Sequence, residues 1–261
     1  MKAGISTASL YLRRETEDAI SAIKELGSES IEIFLGTYYE VRPEFAKKYC
    51  PRAEGMEVAA VHSLSTSFEP QLFNASRRVR GDGFYWLDQI LRSAQLFGAK
   101  KYSFHGYIAR RCGGENWDEI AGYMRGICEF ASRYGVDICL ENVSWGAYNR
   151  PGVFRELKSR CPALAGVLDL KQARRSGYPV NMYIEDMSGA MSHVHLTDVT
   201  ECGKMCLPGT GITDFEELFK RLKGAGFDGA ALIEAYPPDY GEERELKESL
   251  DYICEIIYKL N

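Results

Sequence analysis

Four short strand-like runs in this chain each carry, at or near their C-terminal end, a side chain that can bind a metal ion or move a proton. The runs cover residues 138–141, 166–169, 192–198 and 230–234. The first, second and fourth end on Glu141, Asp169 and Glu234, and the last inward-facing residue of the third is His195. Three carboxylates and one imidazole form a hard-to-borderline ligand set that suits Mn²⁺, Mg²⁺, Co²⁺ or Zn²⁺ and leaves positions for substrate oxygens. The sequence therefore predicts that these four side chains converge on one divalent metal ion.

Two more histidines end apolar runs in the same way, namely His62 and His105. A single histidine at a strand end is more often a hydrogen-bonded core residue than a ligand, and a single glutamate often pairs with an arginine. Six such strand ends are harder to explain in this way, because a buried carboxylate is costly unless it is paired or bound to a metal. We expect no lysine to face inward at these strand ends, so a divalent cation is the expected neutralising charge.

The elements that must position these residues follow from the pattern of the whole chain, in which short β-rich runs alternate with longer amphipathic runs. The predicted strands cover residues 2–6, 30–35, 57–62, 101–105, 137–141, 166–169, 192–198 and 229–234. The predicted helices cover residues 15–26, 43–54, 79–97, 116–134, 151–160, 180–189, 213–224 and 242–260. Residues 63–76 are expected to form a long irregular loop, and residues 171–175 a basic loop.

Nearly continuous apolar strands that alternate with helices favour a parallel sheet covered on its outside. Eight units of about 30 residues close into a (β/α)8 barrel, or TIM barrel, whose usual length is about 250 residues. We therefore predict one such barrel domain over residues 1–261. A doubly wound open sheet is the alternative. It more often carries a glycine-rich phosphate turn after its first strand, and residues 6–9, Ser-Thr-Ala-Ser, do not form one.

The composition is that of an ordinary globular protein, with 45% hydrophobic and 26% charged residues and a formal net charge of −5. No apolar run approaches the ~18 residues of a membrane span, and the N-terminus lacks the pattern of a signal peptide, so we expect a cytoplasmic protein. The acidic charge balance argues against a nucleic-acid partner. The eight cysteines are expected to be mostly reduced packing residues, with metal binding by Cys202 and Cys206 as the alternative. A homo-oligomer is left open.

The motifs at the strand ends carry a resemblance to a known superfamily over the whole chain. Glu141-Asn142, Asp169, residues 195–198 (His-Leu-Thr-Asp), residues 208–215 (Pro-Gly-Thr-Gly-Ile-Thr-Asp-Phe) and Glu234 together resemble the xylose isomerase-like barrels. That superfamily includes sugar isomerases, ketose 3-epimerases, inosose dehydratases and apurinic-site endonucleases. In the epimerases the matching Glu, Asp, His and Glu bind one metal ion. The resemblance therefore implies that Glu141 and Glu234 form the acid/base pair, with Asp169 and His195 as further ligands.

Three departures from the resembled families bear on the reaction. Gln172 stands where the epimerases and nucleases typically have a histidine, and Glu201 stands where the epimerases have a substrate-binding arginine. The loop of residues 199–211 lacks the Asp-x-His pair that completes the trinuclear zinc site of the endonucleases. His62 and His105 nevertheless match two of that family's other ligand positions.

Several residues near the strand ends are candidates for contact with a substrate. We predict His62, His105, Gln172, Trp145, Lys171 and Arg174 as substrate-binding residues. The basic run of residues 171–175 would hold an anionic group, unless it is only a solvated loop. Tyr11 and Tyr107 could stack on a sugar face or simply pack. Residues 209–211 (Gly-Thr-Gly) could bind a phosphate through backbone N–H groups or form only a turn into a capped helix.

These observations favour a metal-dependent isomerase or epimerase of a sugar, a sugar phosphate or a related polyol. One carboxylate would remove a carbon-bound proton, a metal-stabilised enediolate would form, and the other carboxylate would return a proton to the opposite face. The implied cofactor is one divalent metal ion, and the implied partner is a small carbohydrate. An endonuclease-like phosphodiesterase and a non-catalytic barrel that binds sugar or metal are the alternatives.

Overall fold

In the computed structural model, which describes residues 1–63, 65–107 and 116–260, eight parallel strands close into a barrel. For Ser65 only the backbone is described. The strands follow one another around the barrel in chain order, and the last strand pairs with the first, so that Ile5 lies beside Ile233. The predicted (β/α)8 barrel is confirmed.

The strands lie close to their predicted positions. In chain order they are Lys2–Ser6 (β1), Ser30–Leu35 (β2), Glu57–Ser63 (β3), Lys101–Phe104 (β4), Asp137–Glu141 (β5), Ala165–Asp169 (β6), Met191–Leu196 (β7), Asp198–Val199 (β8), Met205–Cys206 (β9) and Ala230–Ile233 (β10). Strands β8 and β9 form an antiparallel hairpin outside the barrel, which the sequence pattern did not predict. The other eight strands form the barrel.

The helices surround the barrel. They are Thr16–Glu25 (α1), Pro43–Tyr49 (α2), Arg77–Phe97 (α3), Trp117–Ser132 (α4), Val153–Arg160 (α5), Leu170–Arg175 (α6), Val180–Asp186 (α7), Phe215–Gly224 (α8) and Arg244–Leu260 (α9). Two of them begin after a side chain that caps the helix, because the Asn116 and Asp214 side chains accept hydrogen bonds from the backbone N–H groups of Glu119 and Glu217.

The prediction of a basic loop at residues 171–175 is wrong. These residues belong to helix α6, which begins directly after β6. Asp169 ends the strand and also caps the helix, since its Oδ1 accepts a hydrogen bond from the Gln172 backbone N–H at 2.6 Å. One carboxylate therefore turns the chain from strand to helix without a loop.

Two other segments differ in detail from their predicted form. The helix predicted over residues 43–54 ends at Tyr49, and a 3₁₀ turn over Cys50–Ala53 follows it, because Pro51 has no N–H for a helical hydrogen bond. The loop predicted over residues 63–76 contains two 3₁₀ turns, Ser65–Ser67 and Glu69–Phe73, while residue 64 lies outside the described residues.

Most of the apolar core lies between the strands and the helices that cover them. Inside the barrel, Ala59, Ala230 and Leu232 form a small apolar cluster of their own. The interior also holds fully buried polar side chains, among them Glu32 and His193. Among the described residues, no helix combines the length and the hydrophobicity needed to cross a membrane.

Candidate metal centre

The four predicted metal ligands meet at one end of the barrel. His195 Nδ1 lies 2.7 Å from Glu234 Oε2 and 3.8 Å from both Glu141 Oε1 and Asp169 Oδ2. One ligand atom from each of the four residues lies within 4.8 Å of the others, and all four side chains are buried. The structure thus brings together the residues that the sequence singled out, while their role as ligands stays a prediction.

The register of neighbouring strands explains how four distant positions come together. Asp169 at the end of β6 pairs with His195 on β7, and His195 pairs in turn with Leu232, two residues before Glu234. Glu141 is the last residue of β5, the neighbour of β6 on its other side. Parallel strands present their C-terminal ends at the same face of a barrel, which is where active sites of this fold lie.

Several buried ligand atoms at this site have no hydrogen-bond partner among the described residues. They include His195 Nδ1, Glu141 Oε2 and Glu234 Oε2. The 2.7 Å approach of His195 Nδ1 to Glu234 Oε2 is a close contact without hydrogen-bond alignment. Because buried polar atoms are normally hydrogen-bonded, lone pairs that face one another in this way fit a shared positively charged partner. Carboxylate oxygens with one imidazole nitrogen suit a hard or borderline divalent cation.

A carboxylate that the sequence analysis missed, Glu32 on β2, lies beneath the four ligands. It accepts hydrogen bonds from Ser6 Oγ at 2.8 Å and from Ser103 Oγ at 2.6 Å. Its Oε1 also lies 3.1 Å from His195 Nε2. With Nε2–H donating to Glu32, the His195 ring would present an Nδ1 lone pair to a metal ion held by the other carboxylates, as outer carboxylates arrange for metal-binding histidines. The available signal was an acid in the middle of an otherwise apolar strand, Ile31-Glu32-Ile33.

The electrostatics differ between Glu32 and the ligands above it. Burial alone would raise the pKa of Glu32, but the adjacent His195 and His193 hold it well below its usual range. Burial lowers the pKa of His193 to about 4, so this imidazole is neutral. At the mouth of the barrel, where the C-terminal ends of the strands lie, burial and two neighbouring glutamates raise the pKa of Asp169 to about 7 against the opposing effect of Lys171. Burial would lower the pKa of His195, but Glu234 and Glu32 raise it well above its usual range, so a proton on this ring, or a metal ion beside it, balances the surrounding carboxylates.

A second group of candidate ligands adjoins the first and shares Glu141 with it. His105 Nε2 lies 3.0 Å from Glu141 Oε2, and His62 Nε2 lies 3.0 Å from His105 Nε2. These three residues meet the same distance condition for a shared ion as the four ligands do. Burial lowers the pKa of His62, but Glu32 and other carboxylates raise it to about 9 overall. His62 and His105 thus lie at the mouth, as predicted, and supply imidazoles beside Glu141.

A cavity of about 130 Å³ opens over the metal centre. Five of the predicted substrate-binding residues line it: His62, His105, Trp145, Lys171 and Gln172. Tyr236, which follows β10 and was not predicted, lines it as well. Trp145 contacts the His105 ring edge-on with centroids 5.3 Å apart. Tyr11 lies behind the wall, where its ring packs on Phe34, so ordinary packing describes it better than sugar stacking.

The expectation that no lysine faces these strand ends is wrong. Lys171 is 2% exposed, and its Nζ lies 4.0 Å from Asp169 Oδ2. The same Nζ lies 4.1 Å from the centroid of the Tyr236 ring. The error follows from reading residues 171–175 as a solvated loop, because the turn into α6 at Asp169 directs Lys171 into the cavity wall.

Arg174, the sixth predicted substrate-binding residue, lies outside the lining of this cavity. Its guanidinium donates to the Thr197 backbone oxygen at 3.1 Å and to Thr213 Oγ1 at 2.6 Å. Burial lowers its pKa. These contacts give Arg174 a structural explanation, in which it ties β7 to the segment before α8.

The Gly-Thr-Gly turn at residues 209–211 donates its N–H groups to the protein itself. The buried carboxylate of Asp198 accepts from Gly209 N at 3.2 Å, Gly211 N at 2.9 Å and Thr213 N at 3.0 Å. A Cβ on Gly211 would lie 2.3 Å from the Val199 backbone oxygen, so only glycine fits this close approach. The alternative of a turn into a capped helix describes this segment, rather than a phosphate site.

The remaining candidates lie on the hairpin. Glu201 and Cys202 are exposed in the turn between β8 and β9, and Cys206 is buried on β9. Within the described part of the chain, no group of candidate metal ligands includes either cysteine. Cys206 is therefore better described as a buried packing residue than as a metal ligand.

Comparisons with known proteins find 3-epimerases of sugars among the similar sequences and structures. The chain is 22% identical to fructoselysine 3-epimerase of Shigella flexneri over 258 residues, which cover 90% of each protein. It superposes on the crystal structure of D-psicose 3-epimerase with D-tagatose from Clostridium cellulolyticum H10 with a TM-score of 0.80 and 17% identity, covering 98% of this chain and 99% of the other. The crystal structure of the IOLI protein with a bound zinc atom gives a TM-score of 0.77 at 16% identity, covering 99% and 97%.

These structural likenesses extend over nearly the whole barrel and confirm the fold at low sequence identity. The family model for the xylose isomerase-like TIM barrel matches residues 20–256. That range includes all four residues that meet around His195. The resemblance drawn from the strand-end motifs is thereby confirmed, and the chain belongs to the family of xylose isomerase-like TIM barrels.

Proposed function

We propose that this protein is a metal-dependent isomerase or epimerase of a sugar or a related polyol. The observation that carries the proposal is the buried group of Glu141, Asp169, His195 and Glu234, in which Glu141 Oε2, His195 Nδ1 and Glu234 Oε2 have no hydrogen-bond partner in the described structure. Relatives named as 3-epimerases of fructoselysine and D-psicose support a ketose-like substrate. A cavity of about 130 Å³ opens over this group and gives a small molecule access to it.

Glu141 and Glu234 are the proposed acid/base pair. Their strands, β5 and β10, are separated by β6 and β7, so the two carboxylates reach the cavity from different directions. Burial would raise the pKa of each carboxyl group, but His105 and His195 lower that of Glu141, and His195 and Lys171 lower that of Glu234. These neighbours favour the ionised form that a base requires. One glutamate in this form removes the carbon-bound proton, and the other, after it has taken a proton from solvent, delivers that proton to the opposite face of the carbon.

The proposed cofactor site consists of Glu141, Asp169, His195 and Glu234, with Mn²⁺, Mg²⁺, Co²⁺ or Zn²⁺ as the suited ions. The chemistry that a divalent cation supplies at such a site is stabilisation of negative charge on substrate oxygens. Glu32 would hold the His195 ring in place through Nε2, and Trp145 and Tyr236 would exclude water beside the reacting carbon. His62, His105 and Gln172 would bind sugar oxygens.

Deuterium exchange tests the proposal directly. Purified protein supplied with Mn²⁺ or Co²⁺ is incubated in D₂O with fructoselysine, D-psicose or D-tagatose, and loss of carbon-bound protons is followed by NMR. We expect wash-in of deuterium beside the carbonyl that stops when EDTA is added. Glu141→Gln and Glu234→Gln should each slow wash-in by about 10²–10⁴-fold. Glu216→Gln changes an exposed carboxylate on α8 and should leave the rate unchanged. Sugar binding without exchange would favour the non-catalytic barrel instead.

A phosphodiesterase of the endonuclease type is the second candidate. The group of His62, His105 and Glu141 favours it, because it offers ligands for an ion beside the first site. Gln172 argues against it, since its Oε1 accepts hydrogen bonds from Ser144 and a glutamine is a poor zinc ligand. Incubation with abasic duplex DNA and Zn²⁺ separates the two functions, because efficient incision would favour the hydrolase.

A further inference from the structure

Lys171 places a buried ammonium group in the wall of the cavity without a hydrogen-bond acceptor. The residue is 2% exposed, and its nearest carboxylate oxygen, Asp169 Oδ2, lies 4.0 Å from Nζ, beyond hydrogen-bond range. Among the residues that the structure describes, none accepts a hydrogen bond from Nζ. An ammonium carries three donors, and a buried donor without an acceptor is costly. A group in the cavity would satisfy these donors.

The next residue in the chain presents donors to the same cavity. The Gln172 side chain is held by its oxygen, because Oε1 accepts hydrogen bonds from Ser144 N at 3.1 Å and from Ser144 Oγ at 2.8 Å. The amide Nε2, with its two N–H donors, has no bonded acceptor in the described part of the chain. Lys171 and Gln172 therefore offer only donors to the cavity that they line.

The opposite holds for the carboxylates of the cavity. Glu141, Asp169 and Glu234 offer only acceptors when ionised, so they can bind hydroxyl groups of a sugar or a cation. They repel an oxygen that gains negative charge. Lys171 adds a positively charged donor to the same cavity wall, and a charged donor held in a buried cavity stabilises developing negative charge strongly.

We propose that Lys171, assisted by Gln172, is a catalytic residue that binds the substrate oxygen on which negative charge develops. The inference rests on the proposed proton transfer. When one glutamate removes the carbon-bound proton, the C–H electron pair forms a C=C bond and the carbonyl electron pair moves onto the oxygen. The ammonium and the amide donate to that oxygen. The other glutamate, protonated beforehand from solvent, delivers its proton to the opposite face of the carbon. The C=C electron pair forms the new C–H bond and the electron pair on the oxygen restores the C=O bond. Exchange with water then returns both glutamates to their starting protonation states.

The test compares Lys171→Met and Gln172→Glu with a matched control, Lys101→Met. Gln172→Glu keeps the oxygen that Ser144 binds and replaces the amide donors by an acceptor. Lys101 is a partly buried lysine on β4 whose Nζ donates to the Ser192 backbone oxygen at 3.1 Å, and it does not line the cavity. Each protein is assayed for deuterium wash-in, for Co²⁺ affinity by calorimetry, and for acetohydroxamate binding to the Co²⁺-loaded form.

We expect Lys171→Met to slow wash-in by about 10²–10³-fold, with a much smaller change in KM, because a charged donor to the oxyanion is lost. Co²⁺ should bind as tightly as before or several-fold more tightly, since a positive charge 4.0 Å from Asp169 is removed. The affinity for acetohydroxamate, which mimics the planar, negatively charged intermediate, should fall by about 10-fold or more. Gln172→Glu should change all three in the same directions, and Lys101→Met should change none.

Three results would overturn the proposal. Wash-in at the wild-type rate in Lys171→Met removes the catalytic role. Loss of both Co²⁺ binding and activity in Lys171→Met would show that the lysine only maintains the structure of the site. A rise in KM confined to anionic sugars, with kcat unchanged, assigns it to a remote acidic group. If the wild-type protein exchanges no ketose, the proposed function fails, yet the acetohydroxamate comparison of Lys171→Met with Lys101→Met still decides whether Lys171 binds an oxyanion.

Discussion

Two polar regions lie one above the other in the barrel, and they differ in how their hydrogen bonds are satisfied. In the lower region Glu32 accepts from Ser6, Ser103 and His195, and the His193 ring contacts Ser103 Oγ at 2.8 Å and Ser192 Oγ at 3.0 Å. In the upper region Glu141 Oε2, Glu234 Oε2 and His195 Nδ1 have no hydrogen-bond partner in the described structure. Burial is nearly complete in both.

The comparison shows that burial of charge alone does not mark a functional site. A buried network whose donors and acceptors all meet inside the protein is a structural support. A buried group whose lone pairs remain unmet needs something from outside the chain, such as a cation or a substrate. His195 belongs to both regions, since its Nε2 faces Glu32 and its Nδ1 faces Glu234, and it couples the support to the site.

The largest expected effect lies in the upper region and concerns catalysis. Glu141→Gln and Glu234→Gln should each lower the rate of deuterium exchange by about 10²–10⁴-fold, because a positioned acid/base group is lost. Urea denaturation in EDTA should show no loss of stability, since one negative charge is removed from a group of like charges. A large loss of stability would mean that the upper region is structural after all.

Glu32→Gln, in the lower region, should instead lower the stability of the fold. Removal of this buried charge leaves the adjacent histidines and serines with an altered partner, so the free energy of unfolding should fall by about 3–5 kcal/mol. Metal affinity should fall by about 10–100-fold, because the His195 ring loses its outer carboxylate. Urea denaturation and calorimetry measure the two effects. Unchanged stability would contradict the division into a support and a site.

A pH-dependent effect is expected at Glu69, a carboxylate that is fully buried and fully hydrogen-bonded. It accepts from Tyr102 OH at 2.7 Å and from the backbone N–H groups of His105 and Gly106. Burial raises its pKa from 4.5 to about 7 against the opposing effect of His105. The folded state then holds this proton more tightly than the unfolded state, so stability should fall as pH rises from 4.5 to about 7, by at most about 3 kcal/mol.

The matched variant for this effect is Glu69→Gln, which does not titrate. Urea denaturation at several pH values should show a flatter pH dependence in the variant than in the wild-type protein. Parallel curves would show that Glu69 ionises in the folded state near its ordinary pKa.

The smallest expected effect is the stabilisation caused by metal binding. Mn²⁺ or Co²⁺ at about 100 times its dissociation constant should add about 2.7 kcal/mol to the free energy of unfolding. Asp169→Asn should reduce this gain, because one ligand oxygen becomes an amide, and Glu216→Gln should retain it. Thermal denaturation with and without EDTA measures the difference. An equal gain in Asp169→Asn would place the ion elsewhere.

The sequence was most informative where a local pattern has a single consequence in three dimensions. Alternation of strands and helices predicts the barrel, and the C-terminal ends of parallel strands then share one face. Glu141, Asp169 and His195 could be grouped because each ends or nearly ends a strand. The helix over residues 171–175 was missed because Asp169 serves both as the end of a strand and as a helix cap.

What the sequence by itself determined is the barrel, its family and the set of side chains at the strand ends, because these depend on periodicity and chain order. Only the tertiary structure decided which polar groups are satisfied. Glu32 lies far from Ser103 and His195 in the chain, and only closure of the barrel makes it their partner. The direction of Lys171 likewise depends on the turn at Asp169 and on Tyr236 from across the barrel. Hydrogen-bond satisfaction is a property of distances between distant segments, and no local pattern contains those distances.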